Sequence, residues 1–433
     1  MTTTTTDDGV EETSTCGCGH VERSGVSRRR LLAAAGAAVG LGVVGGLARD
    51  TAASRYAFAS TSYAGDVLVV LSLRGGFDGL SAVVPAADPL YAGLRPGIGI
   101  PAGQLLQLDA TFGLHPALAP LKPLLDAGTL GFVHAAGQPD PTRSHFEAME
   151  EMERAAPGSS LRTGWLDRVS SAQGAGGAFA TVGVGVEPNQ RALVGPSPEL
   201  RVSSVDDFAL TGGDDLAERA RWTRALEAMH RGARSDIAAP ARLTLGALGT
   251  AAALKDAGYQ PAATYPDGDL GAALRDVARL VKADVGLRVA TVDFGDWDMH
   301  QGLGRVDGGW MHDQLSELGA ALAAFAADLG DAMSRVSLVT LSEFGRRVQE
   351  NASGGLDHGH GNLMLLLGGG VVGGRVHGAW RGLAAGALDD GDLPAANDYR
   401  TVLAELLETR CGVSAAAVFP RLSAARLGLA RPR

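Results

Sequence analysis

The stretch Asp66–Leu73, DVLVVLSL, runs directly into Arg74-Gly75-Gly76-Phe77-Asp78. A near-continuous apolar run rich in β-branched residues suits a strand buried on both faces of a parallel sheet. The glycines after it mark a turn, and Asp78 stands on that turn. The pattern recurs along the chain. Leu130–His134 (LGFVH) ends at Ala135-Ala136-Gly137-Gln138, and Leu287–Asp293 (LRVATVD) at Phe294-Gly295-Asp296-Trp297-Asp298. Val336–Ser342 (VSLVTLS) ends at Glu343-Phe344-Gly345, and Leu363–Leu367 (LMLLL) in a run of glycines. Helical patterns lie between these runs, over Ser144–Ala155, Asp269–Val281, Trp310–Met333 and Asp398–Thr409. Strands alternating with helices predict an α/β doubly wound fold with a mostly parallel central sheet and helices on both faces. Sites in such sheets form at the carboxyl ends of the strands, which is where the polar residues gather here.

The length of 433 residues allows one large domain or two to three small ones, with ample core. The net charge of −10 argues against a nucleic-acid partner, because no basic face is available to neutralise phosphates. Three cysteines in a chain of this length exclude a disulfide scaffold. Residues 205–265 are mixed and polar, and are expected to form an insertion or cap rather than a separate domain.

The first 59 residues read as an address rather than as fold. Ser27-Arg28-Arg29-Arg30 precedes an uncharged run, Leu31–Ala48, that holds five glycines in 18 residues. That composition is poor for a permanent membrane span, and a twin arginine ahead of it predicts a twin-arginine (Tat) export signal. Ala57-Phe58-Ala59 offers a small-x-small cleavage site. Cleavage there would leave residues 60–433 as a single exported domain, periplasmic, cell-wall associated or extracellular. Cys16 and Cys18 would leave with the leader, and Cys411 would remain.

Four constellations carry candidate chemistry. Asp78 lies in the glycine-rich loop after the first strand. Thr142-Arg143-Ser144-His145-Phe146-Glu147 combines an S-x-x-E capping box with a possible nucleophile hydroxyl, Ser144 or Thr142, at a helix start. Arg143 beside it can clamp an anion. Asp296-Trp297-Asp298-Met299-His300 sets two carboxylates and an imidazole after an apolar strand, a group costly to bury unpaired. Asp357-His358-Gly359-His360 packs three further ligand types into four residues, and Asp357 can instead fix an imidazole tautomer. Oxygen ligands with imidazole suit Zn²⁺, Mn²⁺ or Fe, and Ca²⁺ less well. His115 and His145 can also line a site. The chain has no G-x-S-x-G, H-E-x-x-H or G-x-x-x-x-G-K motif.

The segments RGGFDGL (74–80), LHPAL (114–118), RSHF (143–146), GWLDR (164–168), WDMH (297–300), SEFGR (342–346), DHGHG (357–361) and GGRVHG (373–378) run in this order through the chain. Together they resemble a Tat-exported bacterial family of unknown function related to the sulfatase/alkaline phosphatase superfamily. The resemblance implies an alkaline-phosphatase-like α/β sandwich. It also implies a Ser/Thr nucleophile at Ser144 (or Thr142) and metal ligands among Asp78, Asp296, Asp298, His300, Glu343, Asp357, His358 and His360. One or two divalent ions (Zn, Mn or Ca) would serve hydrolysis of phosphate or sulfate esters, small or polymeric, with Arg143 or Arg346 stabilising the transferring anion. The chain departs from the superfamily at Glu343-Phe344, where an Asp-His pair is usual, and lacks the sulfatase Cys/Ser-x-Pro-x-Arg motif. The departure motivates an alternative: a catalytically degenerate member that binds a cell-envelope component or polymer. Export implies transient contact with the Tat translocase, and the alternative reading extends to binding a partner protein.

Overall fold

A computed structural model describes residues 63–174, 176–185, 190–210, 216–423 and 425–433. The expected leader, with its twin arginine, Cys16 and Cys18, lies outside the described residues. The central sheet has nine strands: β1 (Val67–Leu73), β2 (Leu130–Gly137), β3 (Thr181–Val184), β4 (Leu200–Val202), β5 (Val289–Phe294), β6 (Val336–Leu341), β7 (Asn362–Gly368), β8 (Val376–His377) and β9 (Asn397–Asp398). Their order is β8-β2-β7-β6-β1-β5-β3-β4, and β9 pairs with β2. The helices used below are α1 (His145–Arg154), α2 (Trp165–Gln173), α3 (Leu216–His230), α4 (Ser235–Asp256), α5 (Asp269–Lys282), α6 (Trp310–Leu329) and α7 (Tyr399–Leu406).

The sheet is mixed and mostly parallel. β1 lies parallel between β6 and β5, with Val67 opposite Val336 and Leu68 opposite Val289. β7 is the exception, antiparallel to both β6 and β2. The apolar run LMLLL reads the same in either direction, so nothing in it reveals the reversal. β3 and β4 are short and lie outside the strands expected from the sequence, yet they extend the sheet beyond β5.

The side chains of β1 alternate between two cores, as the two-residue period of a strand requires. Val67, Val69, Leu71 and Leu73 join Leu274, Val277 and Leu280 of α5 and Leu315, Leu322 and Phe325 of α6. Leu68 and Val70 join Met152 of α1, Trp165 and Val169 of α2, and Val402 and Leu406 of α7. Helices therefore cover both faces. In α5 the apolar positions recur at helical spacing. Asp269 stands in its first turn and Arg279 and Lys282 in its last, where each sign is favoured by the helix dipole. The segment 205–265 is largely helical, carrying α3 and α4. The described residues before 210 and after 228 form one compact unit, and 210–228 fall outside it.

One edge of the sheet collects the loops that matter. β1, β2, β5 and β6 run in one direction and end there, while the antiparallel β7 begins there. A bulge between Asn362 and Leu363 adjusts the start of β7, and Asn362 Nδ2 donates to the Phe344 carbonyl at 2.7 Å. Gly75 is required at this edge. Its φ is +114°, and a Cβ there would lie 2.8 Å from the backbone nitrogens of both Trp297 and Asp298.

Two buried histidines make stability depend on pH. His134 of β2 donates from Nε2 to the Val83 carbonyl at 3.0 Å, and burial lowers its pKa to about 4. His115 accepts from Ala117 N at 3.0 Å, and burial with the nearby His312 also lowers its pKa to about 4. In the unfolded chain both take up a proton near pH 6.5, so between 6.5 and 4 the unfolded state binds more protons and stability falls with pH. Each contributes about 2 kcal/mol of loss at pH 5 relative to pH 7.5. Urea denaturation of His134→Gln at the two pH values should show a smaller difference than the parent protein.

Candidate metal centre

Three imidazoles and a carboxylate meet above the ends of β1, β5 and β6. His145 is the first residue of α1, behind the Ser144 cap. Asp298 and His300 follow β5, and His358 precedes β7. His358 Nε2 lies 3.0 Å from His145 Nε2, 2.9 Å from His300 Nε2 and 3.2 Å from Asp298 Oδ1. Asp298 Oδ1 is also 3.2 Å from His300 Nε2, and Oδ2 is 3.6 Å from His145 Nε2. His145, Asp298 and His358 offer ligand atoms within 4.8 Å of one another, a group that could hold a metal ion.

The opposite nitrogen of each ring is tied down. His145 Nδ1 lies 2.9 Å from Glu343 Oε1, His300 Nδ1 is 3.1 Å from Asp357 Oδ1, and His358 Nδ1 is 2.9 Å from the Arg143 carbonyl oxygen. Carboxylate and carbonyl partners of this kind orient ligating histidines and set their tautomer. Glu343 is buried and also accepts from Gly75 N at 2.8 Å and from Ser342 Oγ at 3.2 Å. Asp357 additionally accepts from Asn351 Nδ2 at 3.1 Å. Asp298 is held from below by Arg346 Nη2 at 2.6 Å.

The charges follow these contacts. Burial pushes the Asp298 carboxyl up, but the hydrogen bond and charge of Arg346 outweigh it and hold the group below the ordinary carboxylate value. Glu343 is likewise pushed up by burial and brought below its ordinary value by His145. The His145 ring is raised, chiefly by its hydrogen bond to Glu343, while burial lowers that of His358. Asp298 and His300 are about half exposed, at 47% and 44%, so the cluster opens to solvent above a buried base. Phe146, beside His145, is 90% exposed.

The structure distributes the expected residues unevenly. Asp298, His300 and His358 come together. Glu343, expected among the ligands, stands behind His145 instead, and Asp357 stands behind His300, the tautomer-fixing place that the sequence offered as its alternative to ligation. Asp78 is elsewhere, with both carboxylate oxygens spent on Arg95, at 2.9 and 2.5 Å, and one also on Ser81 N at 3.1 Å. Burial raises its pKa, and Arg95 more than reverses the effect. Asp296 is exposed, in a left-handed conformation with φ +70°. His360 is buried and donates from Nε2 to the Gln138 carbonyl at 2.7 Å.

The helix-start residues are likewise engaged. Ser144 Oγ caps α1 by accepting from Glu147 N at 3.5 Å, Thr142 Oγ1 donates to Glu147 at 2.8 Å, and Arg143 pairs with Asp392 at 2.5 Å. His145 was legible only as a residue that can line a site, because an imidazole at a helix start also serves as an ordinary surface residue. The additional signal was its place directly after the capping serine, which aims the first-turn side chain at the sheet edge.

The Asp78–Arg95 pair yields a clear expectation. The Arg95 side chain is fully buried, so Asp78→Ala leaves a buried charge without its partner. Unfolding free energy from urea titration should fall by about 3–5 kcal/mol.

A family model described as "Protein of unknown function (DUF1501)" matches residues 130–407. The matched span contains the three histidines, Asp298 and the groups behind them, apart from the Gly75 loop. No curated protein matches the chain. The match covers well over half of the 433 residues, and the chain therefore belongs to the DUF1501 family.

Proposed function

We propose that this protein is an exported, metal-dependent hydrolase of phosphate or sulfate esters, on a fold of the alkaline-phosphatase type. The observation that carries the reading is the convergence of three imidazole nitrogens and a carboxylate at the carboxyl edge of a mostly parallel sheet. The three-layer arrangement supports the fold assignment, and the twin-arginine segment supports export through the Tat translocase.

A divalent cation at this place would polarise an ester oxygen and make an attacking hydroxyl more acidic. The chain's own groups would do the rest. Ser144 is one residue from His145, and its contact with Glu147 N, at 3.5 Å, is long, so the hydroxyl can leave the cap to act as nucleophile. Arg143 is 43% exposed and can turn from Asp392 to grip the anionic ester. Arg346 is pinned by backbone carbonyls and Asp298, so its charge acts on substrate only through that carboxylate.

A second reading, binding of a cell-envelope component or polymer without turnover, is favoured by two observations. Ser144, Thr142 and Arg143 all have structural partners, and Phe146, next to His145 in the chain, is 90% exposed and presents a large apolar ring to solvent.

A panel of phosphate and sulfate monoesters assayed with the purified, metal-supplemented protein separates the readings. Hydrolysis is expected, with His358→Ala losing turnover and Ser144→Ala reduced on the order of 100-fold or more. Turnover unchanged in both variants rules out the proposed mechanism. Absence of hydrolysis, with polymer co-sedimentation that Phe146→Ala weakens, favours the binding reading.

A further inference from the structure

We propose that the outward face of α4 docks this protein on the surface of an anionic lipid bilayer, with the helix lying in the headgroup layer. The inference is independent of the metal centre and of ester hydrolysis. It starts from a mismatch between composition and burial. Among the described residues α4 is the one helix long and apolar enough, over Ile237–Asp256, to cross a membrane. A helix of that composition ordinarily lies in a protein core, yet only 17% of this stretch is buried. An export signal has a similar composition but stands at the N-terminus, and α4 starts at residue 235.

Helical spacing sorts the side chains of α4 into two faces. Ala247 and Ala251 join the core shared with α5 and α6, and Leu254 packs against it. Ile237, Ala241, Leu245, Leu248 and Ala252 recur at intervals of four and three residues, so they form one apolar stripe. At about 100° per residue, the stripe is centred about 110° around the axis from those anchors. None of its five residues joins a hydrophobic cluster among the described residues. Ile237 is 52% exposed, and Met229, shortly before the helix, is 63% exposed. Water is a poor neighbour for such a stripe, and the apolar edge of a bilayer is a good one.

The charges beside the stripe select the occupant. Residues 229–256 carry Arg231, Arg234, Arg242 and Lys255 against Asp236 and Asp256, a local basic excess in a chain of net charge −10. Arg231, Arg234 and Arg242 are all exposed. Arginines edging an apolar stripe match the two layers of a membrane surface, phosphates outside and acyl chains within. A second copy of this chain is a poorer occupant, because two molecules of net charge −10 repel each other.

The helix lies on the surface rather than crossing it. Ala247, Ala251 and Leu254 hold it to the body of the protein, and Arg242 interrupts the apolar stretch with a charge that is costly at bilayer depth. Ala239, Pro240, Leu243 and Thr244 of the same helix line a cavity of about 430 Å³, faced by Pro198 and Leu200. This cavity extends the apolar surface beside the stripe. Its acid, Glu199, is compensated by Arg201 at 2.8 Å.

The test is vesicle co-sedimentation of the full chain, with phosphatidylcholine vesicles and with vesicles of phosphatidylcholine mixed with phosphatidylglycerol. Binding is expected to the phosphatidylglycerol vesicles, stronger than to the neutral ones and falling as salt is raised. Ile237→Asp and Leu245→Asp should each weaken it about 10-fold or more. Arg231→Gln and Arg242→Gln should each weaken it about fivefold. Leu90, 44% exposed and outside α4, supplies the control, and Leu90→Asp should bind as the parent does. Circular dichroism establishes that each variant is folded, and Ile237 and Arg242 are exposed enough to tolerate substitution. No binding by the folded parent, equal binding to neutral vesicles, or parent-like binding in Ile237→Asp and Arg242→Gln overturns the proposal. Sedimentation velocity without vesicles covers the remaining occupant: a dimer that Ile237→Asp dissociates assigns the face to a second copy of this chain and overturns it equally.

Discussion

The Arg346 guanidinium is the interaction on which the rest of the site depends. It is buried to 2% exposure. Its Nε donates to the Gly76 carbonyl at 2.6 Å and its Nη1 to the Leu356 carbonyl at 3.0 Å. Its Nη2 reaches the Gly75 carbonyl, the Trp297 carbonyl and Asp298 Oδ1. One planar group therefore gathers the loop after β1, the loop after β5 and the loop before β7. A guanidinium in a dry site is tolerable only when its donors are met, and here backbone carbonyls meet most of them. The remaining one orients Asp298. Without Arg346 the three loops would have no common fastener, and the imidazoles would not share a centre.

A second layer of constraint works through close approach. Gly75 lets the Trp297–Asp298 backbone come down against the first loop, and its own N–H donates to Glu343, which in turn holds His145. Glycine, glutamate and histidine are linked in one chain of contacts from the end of β1 to the start of α1. That chain accounts for the Glu343-Phe344 sequence at the end of β6. The glutamate serves as an orienting partner, while the Phe344 ring lies 4.6–4.8 Å from those of His358 and His145 and walls the cluster.

Much of the fold could be read from the chain. The apolar runs that became β1, β2, β5, β6 and β7, and the amphipathic periods of α5 and α6, are local patterns whose burial follows from their period. The reversal of β7 and the short strands β3 and β4 were not legible, because a fully buried run carries no direction and a four-residue strand carries little pattern. At the site, Asp298, His300 and His358 stood out as clustered ligand types. His145 did not, since its partners lie 198 and 213 residues away in sequence.

The amino-acid sequence by itself determined the α/β class, the acidic balance, and the fact that acids and histidines cluster where strands give way to glycine-rich loops. Those are properties of neighbouring residues and of side-chain period. Only the tertiary structure decided which of these groups share a centre and which serve as scaffolding. Asp78 and Asp298 look alike in sequence, each an aspartate shortly after a strand. One lies under a buried arginine, Arg95, that consumes both its oxygens, while the other gives one oxygen to Arg346 and still lies beside three imidazoles. The difference is set by which distant arginine folds against which carboxylate, and a local pattern holds no record of that.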